Sequence, residues 1–468
     1  MLFSSSVFLF AFLPVVLFVY YGLLRSTRRG QNVFLLIVSL FFYAFGEPSF
    51  VLIMMASILI NWGLGLWVGH ARSKERSTRL PVVCAVVINL ALLFVFKYLT
   101  FVLSTLNALG AQLVVPVIEL PIGISFFTFQ ALSYVLDVAR DKKAPQQNLL
   151  AVGLYISFFP QLIAGPIVKY DTVADQLYHR RETWDLFSSG VCRFLIGLGK
   201  KVLLSNQLAL IADAAFTAGD DLTTTFAWLG SICYTLQIYY DFSGYSDMAI
   251  GLGRMFGFEF LENFNHPYAA VSVTDFWRRW HISLSSWFRD YVYIPLGGNR
   301  VSPRRHTFNL FVVWLLTGIW HGAGWTFILW GLFYFVLLWL EKHLNWTANW
   351  PVLLRRVYTL LAVNFAWVLF RAEGLRHALQ YLLSMFGFAP GGWTGGTDLW
   401  LNEHAPELVL GLILAVPTAR WLKEKLYRAR TLRPVWDVCY TVGLLVILVL
   451  SATLLIKGSY NPFIYFNF

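Results

Sequence analysis

The stretch FNLFVVWLLTGIWHGAGWTFILWGLFYFVLLWL, residues 308–340, contains no Asp, Glu, Lys or Arg, and similar apolar stretches recur along the whole chain. A helix needs about 20 apolar residues to cross the hydrocarbon core of a bilayer. The composition agrees with this pattern, because 58% of the 468 residues are hydrophobic and only 13% are charged. We therefore predict an all-α polytopic membrane protein with about ten to twelve transmembrane helices.

Polar segments between the apolar stretches are short, so residues 1–468 are expected to form a single membrane domain. The amphipathic segments 170–185 and 266–303 are expected to be interfacial or re-entrant helices. Four cysteines lie far apart in the sequence, so we predict neither a disulfide nor a metal site.

The net charge of +11 comes from Lys and Arg residues clustered in short loops, which is typical of the cytoplasmic side of a membrane protein. This distribution argues against a nucleic-acid partner and favours contact with membrane lipid. The Lys and Arg clusters that we predict to be cytoplasmic are residues 25–29, 72–79, 140–143 and 420–433. Their positions place both termini of the chain outside.

His321 lies almost at the midpoint of the 35 uncharged residues between Arg305 and Glu341. Burial in hydrocarbon favours a neutral imidazole, which can act as a general base. The small residues in TGIWHGAGW, 317–325, leave space beside the ring. The alternative is a histidine that only bonds a neighbouring helix. Residues 308–340 form either one span or two short helices that meet near His321.

The segment TDFWRRWHISLSSWFRD, residues 274–290, places Trp277, Arg278, His281 and Ser285 on one face if it is a continuous helix. Such a face can bind an anionic or carbonyl-bearing donor. From spacing alone, an amphipathic helix anchored at lipid headgroups is the better interpretation. An i,i+4 pair between Asp275 and Arg279 is also expected.

The segment YDFSGYSD, residues 240–247, brings two acids, two serine hydroxyls and a glycine close to apolar sequence, where unpaired carboxylates are costly. We predict that Asp241 and Asp247 pair with the arginines of residues 278–289 in a structural role. A Ser-His-Asp hydrolase site lacks the strand-turn-helix setting that its nucleophile requires.

Several blocks together resemble the membrane-bound O-acyltransferase family, and within it the branch of alginate O-acetylation membrane proteins. The resemblance extends over most of the chain. Its blocks are LFSSSVFLF (2–10), PIGISFFTF (121–129), FPQLIAGP (159–166), DFSGYSD (241–247), ENFNHPY (262–268), FWRRWHISL (276–284), RDYVYIPLGGNR (289–300) and WHG (320–322). One departure is His266, where the family pattern has Gln.

The resemblance implies an O-acetyltransferase with an intramembrane tunnel and two functional histidines, His321 and His281. It implies no permanently bound cofactor, with a cytoplasmic donor such as acetyl-CoA. The implied acceptor is an exopolysaccharide such as alginate or cellulose, or a periplasmic acetyltransferase, which places the protein in a bacterial inner membrane. We expect substrate- or donor-binding roles for six further residues: Trp320, Asn299, Arg278, Ser285, Asp241 and Tyr245.

The alternative from a different class is a transporter or polysaccharide-export subunit, in which His321 and the acids form an intramembrane path for protons or substrate. No two-fold repetition of motifs supports that hypothesis.

Overall fold

In the part of the chain that the structure describes, all regular secondary structure is helical. This structure is a computed structural model, and it describes residues 1–141, 143–428, 433–458, 460–462 and 464. Nineteen helices are numbered in chain order. They are α1 (Phe8–Leu23), α2 (Arg28–Gly46), α3 (Val51–Ser73), α4 (Arg79–Ala108), α5 (Ile124–Ala139), α6 (Leu149–Ser157), α7 (Tyr170–Val173), α8 (Gln176–His179), α9 (Trp184–Phe216), α10 (Thr224–Met255), α11 (Val273–Arg279), α12 (Ile282–Phe288), α13 (Pro303–His321), α14 (Trp325–Leu344), α15 (Val352–Arg371), α16 (Leu375–Leu383), α17 (Thr397–Leu414), α18 (Thr418–Arg428) and α19 (Arg433–Ile456).

The all-α polytopic class is confirmed, but the number of spans is not. Among the described residues, seven helices are long and apolar enough to cross a membrane: α2, α3, α4, α9, α14, α15 and α19. The pair α17 and α18 makes an eighth span if its 67° bend is a break within one crossing. The apolar helices α1 and α5 are shorter. The expected ten to twelve spans therefore stay a prediction.

The amphipathic segments consist mostly of short helices, and their interfacial or re-entrant position stays a prediction. Residues 170–183 contain only α7 and α8, and residues 266–302 contain α11, α12 and shorter turns of helix. Parts of two predicted cytoplasmic clusters, residue 142 and residues 429–432, lie outside the described residues.

Contacts within the chain group into two compact units, which are described separately. Unit 1 comprises residues 1–194 and 248–261, and unit 2 comprises residues 195–247 and 262–468. The boundaries fall within α9 and α10. The expectation of a single domain stays a prediction.

Unit 1 has an aromatic core and a charged cluster around Glu182. The buried Phe159 ring packs against Phe12, with ring centroids 5.5 Å apart. Elsewhere in the unit, Glu182 accepts hydrogen bonds from Arg28 and Tyr20. Burial alone would raise the pKa of Glu182, but these hydrogen bonds outweigh it, so the net shift is downward. A charged carboxylate is therefore held where α2 begins.

Unit 2 contains α10 to α19 except for the last residues of α10, together with residues 195–216 of α9. Within this unit α13 and α14 pack against each other, and the chain connects them through Gly322, Ala323 and Gly324. This hairpin carries His321 at its tip.

Candidate active site

Two glycines allow the backbones of α13 and α14 to pack closely in a hairpin. A Cβ atom on Gly318 would lie 2.5 Å from the carbonyl oxygen of Phe327, and one on Gly331 would lie 2.4 Å from that of Trp314. Only glycine allows backbones to approach so closely. At the end of the hairpin opposite His321, Trp339 Nε1 donates a hydrogen bond to Thr307 Oγ1 at 3.1 Å. Residues 308–340 are thus two helices that meet near His321, the second of the two predicted geometries.

His321 is the last residue of α13 and is 5% exposed. Three aromatic rings contact its imidazole: Trp330 at 4.9 Å, Trp320 at 5.0 Å and Phe370 at 5.2 Å between ring centroids. All three are nearly perpendicular to the imidazole, at 78°. The three rings surround the imidazole and restrict the orientation of its plane.

His281 occupies a break between α11 and α12, and its backbone is left-handed with φ of 44°. A non-glycine residue in this region is strained, and such strain is concentrated at functional sites. The side chain is fully buried, and its Nδ1 lies 3.1 Å from Asn263 Oδ1. Its ring packs edge-on against Phe242 at 4.5 Å.

Trp320 contacts both histidines. Its ring centroid lies 6.0 Å from that of His281 and 5.0 Å from that of His321. The fold therefore brings together two histidines that are 40 positions apart in the sequence. Both belong to unit 2.

The break at His281 corrects the prediction of one continuous helix over residues 274–290. Trp277, Arg278 and Ser285 line one cavity, whereas His281 turns into the core towards Asn263. The i,i+4 pair is confirmed, with Arg279 Nε 2.9 Å from Asp275 Oδ1.

The cavity beside α11 and α12 has a volume of about 200 Å³ and a cationic rim formed by Arg278, Arg289 and Lys342. All three rim residues are exposed. Its inner wall follows one face of α13 and reaches Thr317, which lies one helical turn before His321. The remaining lining residues are Thr274, Trp277, Leu284, Ser285, Phe288, Tyr293, Leu310, Val313, Trp314 and Leu338.

One rim residue has a carboxylate partner, because Arg289 Nε lies 2.8 Å from Asp290 Oδ1, whereas the nearby Glu341 is engaged by the backbone of α11. Glu341 accepts hydrogen bonds from the backbone N–H groups of Val273 and Thr274, at 2.7 and 2.8 Å. It therefore caps the N-terminus of α11, where a negative charge is favourable. The cap fixes α14 against the helix that carries Arg278.

A second cavity of about 410 Å³ starts just after His321 in the chain, at Ala323 and Gly324. Phe370, which contacts the His321 ring, also lines it. Its wall is polar, with the pair Arg371–Asp213 at 2.7 Å. Further lining residues include Gln237, Glu373 and Tyr460, whose hydroxyl donates to Asp213 at 2.7 Å.

The acids of residues 240–247 have structural partners, but the predicted partners were wrong. Asp241 pairs with Lys201 at 2.6 Å, with both side chains buried, and Asp247 pairs with Lys200 at 2.6 Å. The partners are lysines of α9 rather than the arginines of residues 278–289. Tyr245 is fully buried one turn after Asp241 in α10.

Asn299 lies in an exposed turn that the structure does not bring to the histidines. Asn309 anchors this turn by donating to the carbonyl groups of Leu296 and Gly298. Asn309 precedes His321 by 12 residues of α13, a distance of about 18 Å along a helix.

Three residues of the site were missed by sequence reasoning: Asn263, Arg289 and Lys342. The signal for Asn263 was its place in the block ENFNHPY, which marked the resemblance but assigned it no role. Arg289 was considered only among the arginines predicted to pair with Asp241 and Asp247, and Lys342 only as a charge that flanks apolar sequence.

An all-helical membrane protein with two buried histidines that contact the same tryptophan fits an integral membrane transferase. The chain belongs to the membrane-bound O-acyltransferase family, whose model matches residues 86–379. The family predicted from the sequence blocks is thus confirmed, as is an acyltransferase that crosses the membrane several times.

The curated relatives are consistent with this family. The chain is 46% identical over 400 residues to a probable alginate O-acetylase of Pseudomonas aeruginosa, covering 84% of this chain and 76% of the relative. It is 39% identical over 498 residues to a probable alginate O-acetylase of Pseudomonas putida, with 100% of both chains covered. It is 33% identical over 526 residues to a peptidoglycan O-acetyltransferase of Helicobacter pylori, covering 100% of this chain and 98% of the relative.

Proposed function

We propose that this acyltransferase moves an acetyl group from a cytoplasmic thioester donor, acetyl-CoA, across the bacterial inner membrane for O-acetylation of an exopolysaccharide. The acceptor polymer is alginate or a related glycan such as cellulose, reached directly or through a periplasmic acetyltransferase. Similarity to a probable alginate O-acetylase and to a peptidoglycan O-acetyltransferase supports acetyl transfer to a glycan.

The observation that carries this proposal is the cavity with the cationic rim. Arg278, Arg289 and Lys342 suit the phosphates of CoA, because charge-assisted hydrogen bonds to phosphate are strong. The apolar wall formed by α13 suits the neutral pantetheine arm and reaches Thr317, one helical turn before His321.

In the proposed reaction, His321 accepts the proton of an acceptor hydroxyl as its oxygen attacks the thioester carbonyl. The C–O bond forms, the C–S bond breaks, and the thiolate of CoA takes up the proton on leaving. The indole N–H of Trp320 or neighbouring backbone N–H groups stabilise the oxyanion of the tetrahedral intermediate by donating hydrogen bonds to it. The second cavity supplies the acceptor from the other side of the hairpin tip, where Asp213, Gln237 and Glu373 offer hydrogen-bonding groups for sugar hydroxyls.

The transporter alternative has no observation in its favour. The acids that would form a path, Asp247 and Asp241, are engaged in ion pairs with Lys200 and Lys201.

The proposed transfer reaction predicts that the purified protein releases CoA from acetyl-CoA when an acceptor oligosaccharide is present.

A sharper test compares two donors in the variant Arg278→Gln. Acetyl-CoA carries phosphates, whereas acetyl-pantetheine does not. Loss of one charge-assisted hydrogen bond costs about 1.5 to 3 kcal/mol, so KM for acetyl-CoA should rise about tenfold or more. KM for acetyl-pantetheine should stay unchanged.

The matched control is Arg300→Gln, an exposed arginine that does not line the cavity. Its kinetics with both donors should equal those of the wild type. An equal loss with both donors in Arg278→Gln, or no CoA release by the folded wild type, would contradict the proposed donor site.

A further inference from the structure

Asn263 lies beside the break that carries His281. Two backbone hydrogen bonds align residues 263–265 with residues 279–282: Ile282 N–H donates to Asn263 O at 3.0 Å, and Asn265 N–H donates to Arg279 O at 2.9 Å. The Asn263 side chain is 1% exposed. Its position relative to His281 is thus fixed by the backbone on both sides.

The surroundings of Asn263 decide which way its amide points. The backbone N–H of Ser283 lies 3.2 Å from Oδ1, and a backbone N–H can only donate. The Ser283 hydroxyl also donates to Oδ1, at 2.9 Å. On the other side, Nδ2 donates to Ser246 Oγ at 2.9 Å. The atom that faces His281 is therefore the oxygen.

This orientation determines the tautomer of His281. Because Oδ1 can only accept, the hydrogen of the 3.1 Å contact sits on Nδ1 of His281. A neutral imidazole has one N–H, so Nε2 carries a lone pair. Nε2 is buried and has no hydrogen-bond partner among the described residues.

We propose that Asn263 is a positioning residue that holds His281 as the Nδ1–H tautomer, so that the Nε2 lone pair faces the reacting groups beside Trp320. A buried acceptor without a partner costs free energy unless a substrate group donates to it. The inference rests on the proposed function, in which that group is a second hydroxyl of the acceptor, next to the one that reacts. This second hydroxyl donates to His281 Nε2 and so orients the reacting hydroxyl, whose own hydrogen faces His321.

The test uses two variants of Asn263. Asn263→Leu keeps the approximate volume but removes the acceptor, so His281 loses its preference for Nδ1–H. We expect kcat to fall about 100-fold with KM for acetyl-CoA within twofold, because the donor cavity is untouched. Asn263→Asp retains an acceptor oxygen and should recover a large part of kcat.

A spectroscopic readout separates positioning from a merely structural role. In ¹⁵N-histidine-labelled protein, the nitrogen shifts of Nδ1 and Nε2 report which atom is protonated, and His281→Gln assigns the signal by its loss. The wild type and Asn263→Asp should show Nδ1–H, and Asn263→Leu should show a loss of that signature.

The matched control is Asn364→Leu, which removes another buried asparagine of unit 2, bonded to Thr235 at 2.9 Å. Its kcat and its His281 signal should match those of the wild type. Wild-type turnover in Asn263→Leu, or an unchanged His281 tautomer in that variant, would overturn the inference. If the wild type transfers no acetyl group, the proposed function fails, but the nitrogen shifts still decide the tautomer.

Discussion

His281 and His321 are both buried, but their surroundings differ. His281 contacts Asn263, a neutral hydrogen-bonding group that fixes one tautomer. His321 stands at a helix end among the rings of Trp320, Trp330 and Phe370. A general base and a hydrogen-bonding group should therefore respond differently when each is replaced.

Replacing each histidine by Gln separates the two roles. His321→Gln should lower kcat by about 10²- to 10⁴-fold and leave CoA affinity intact, because the amide cannot accept the proton at the required basicity. His281→Gln should retain partial turnover, because the amide oxygen still accepts a hydrogen bond. Acetyl-transfer rates and CoA binding of the purified variants provide the measurement.

The control for these variants is their level in the membrane, which should equal that of the wild type. The roles would be exchanged if His281→Gln eliminated turnover with unchanged binding while His321→Gln remained active.

At the level of helices, the close packing of α13 on α14 sets the position of His321 relative to α14. Replacing Gly331 by Ala places a Cβ atom 2.4 Å from the carbonyl oxygen of Trp314, so the helices must separate. Such overpacking costs about 1 to 3 kcal/mol. We expect a lower Tm and reduced acetyl transfer.

Gly63→Ala provides the control, because its Cβ atom would meet nothing within 4 Å in the apolar helix α3. Alanine is the better helix former, so Tm should stay the same or rise. Equal effects of the two substitutions on Tm would show that the hairpin is not tightly packed.

The sequence allowed functional side chains to be recognised, but it did not show which side chains pair with one another in the folded chain. His321 could be recognised because a single imidazole interrupts a long uncharged stretch, which is a local signal. The lysine partners of Asp241 and Asp247 could not be recognised from the sequence. Lys200 and Lys201 lie about 40 residues earlier, and periodicity does not say which helices pack together.

The break at His281 was also hidden from sequence reasoning. The segment 274–290 contains neither Gly nor Pro, so no local signal ends α11 at Arg279. The break is stabilised by tertiary hydrogen bonds to residues 263–265. For the same reason, the role of Asn263 appears only in the folded chain.

At the scale of the whole molecule, the orientation in the membrane follows from the distribution of Lys and Arg. The cluster at residues 25–29 predicts an outside N-terminus, and the cluster at residues 72–79 predicts a cytoplasmic loop. In a cysteine-free background, Ser6→Cys should react with an impermeant thiol reagent in spheroplasts. Ser77→Cys should react only after the membrane is opened.

Both serines are exposed, so accessibility within the protein does not limit the reaction. Labelling of Ser77→Cys in intact spheroplasts, with protection of Ser6→Cys, would reverse the assigned orientation.

The uncharged interior of the hairpin also bears on biosynthesis. A charged residue at the centre of a helix raises the cost of insertion by the translocon by about 2.5 to 3.5 kcal/mol. The 35 residues between Arg305 and Glu341 contain none, and the two ends lie together, with His306 Nδ1 3.3 Å from His343 Nε2. Both helices can therefore enter the bilayer as a pair while the ribosome is still translating, carrying His321 to its final depth without moving an ion through lipid.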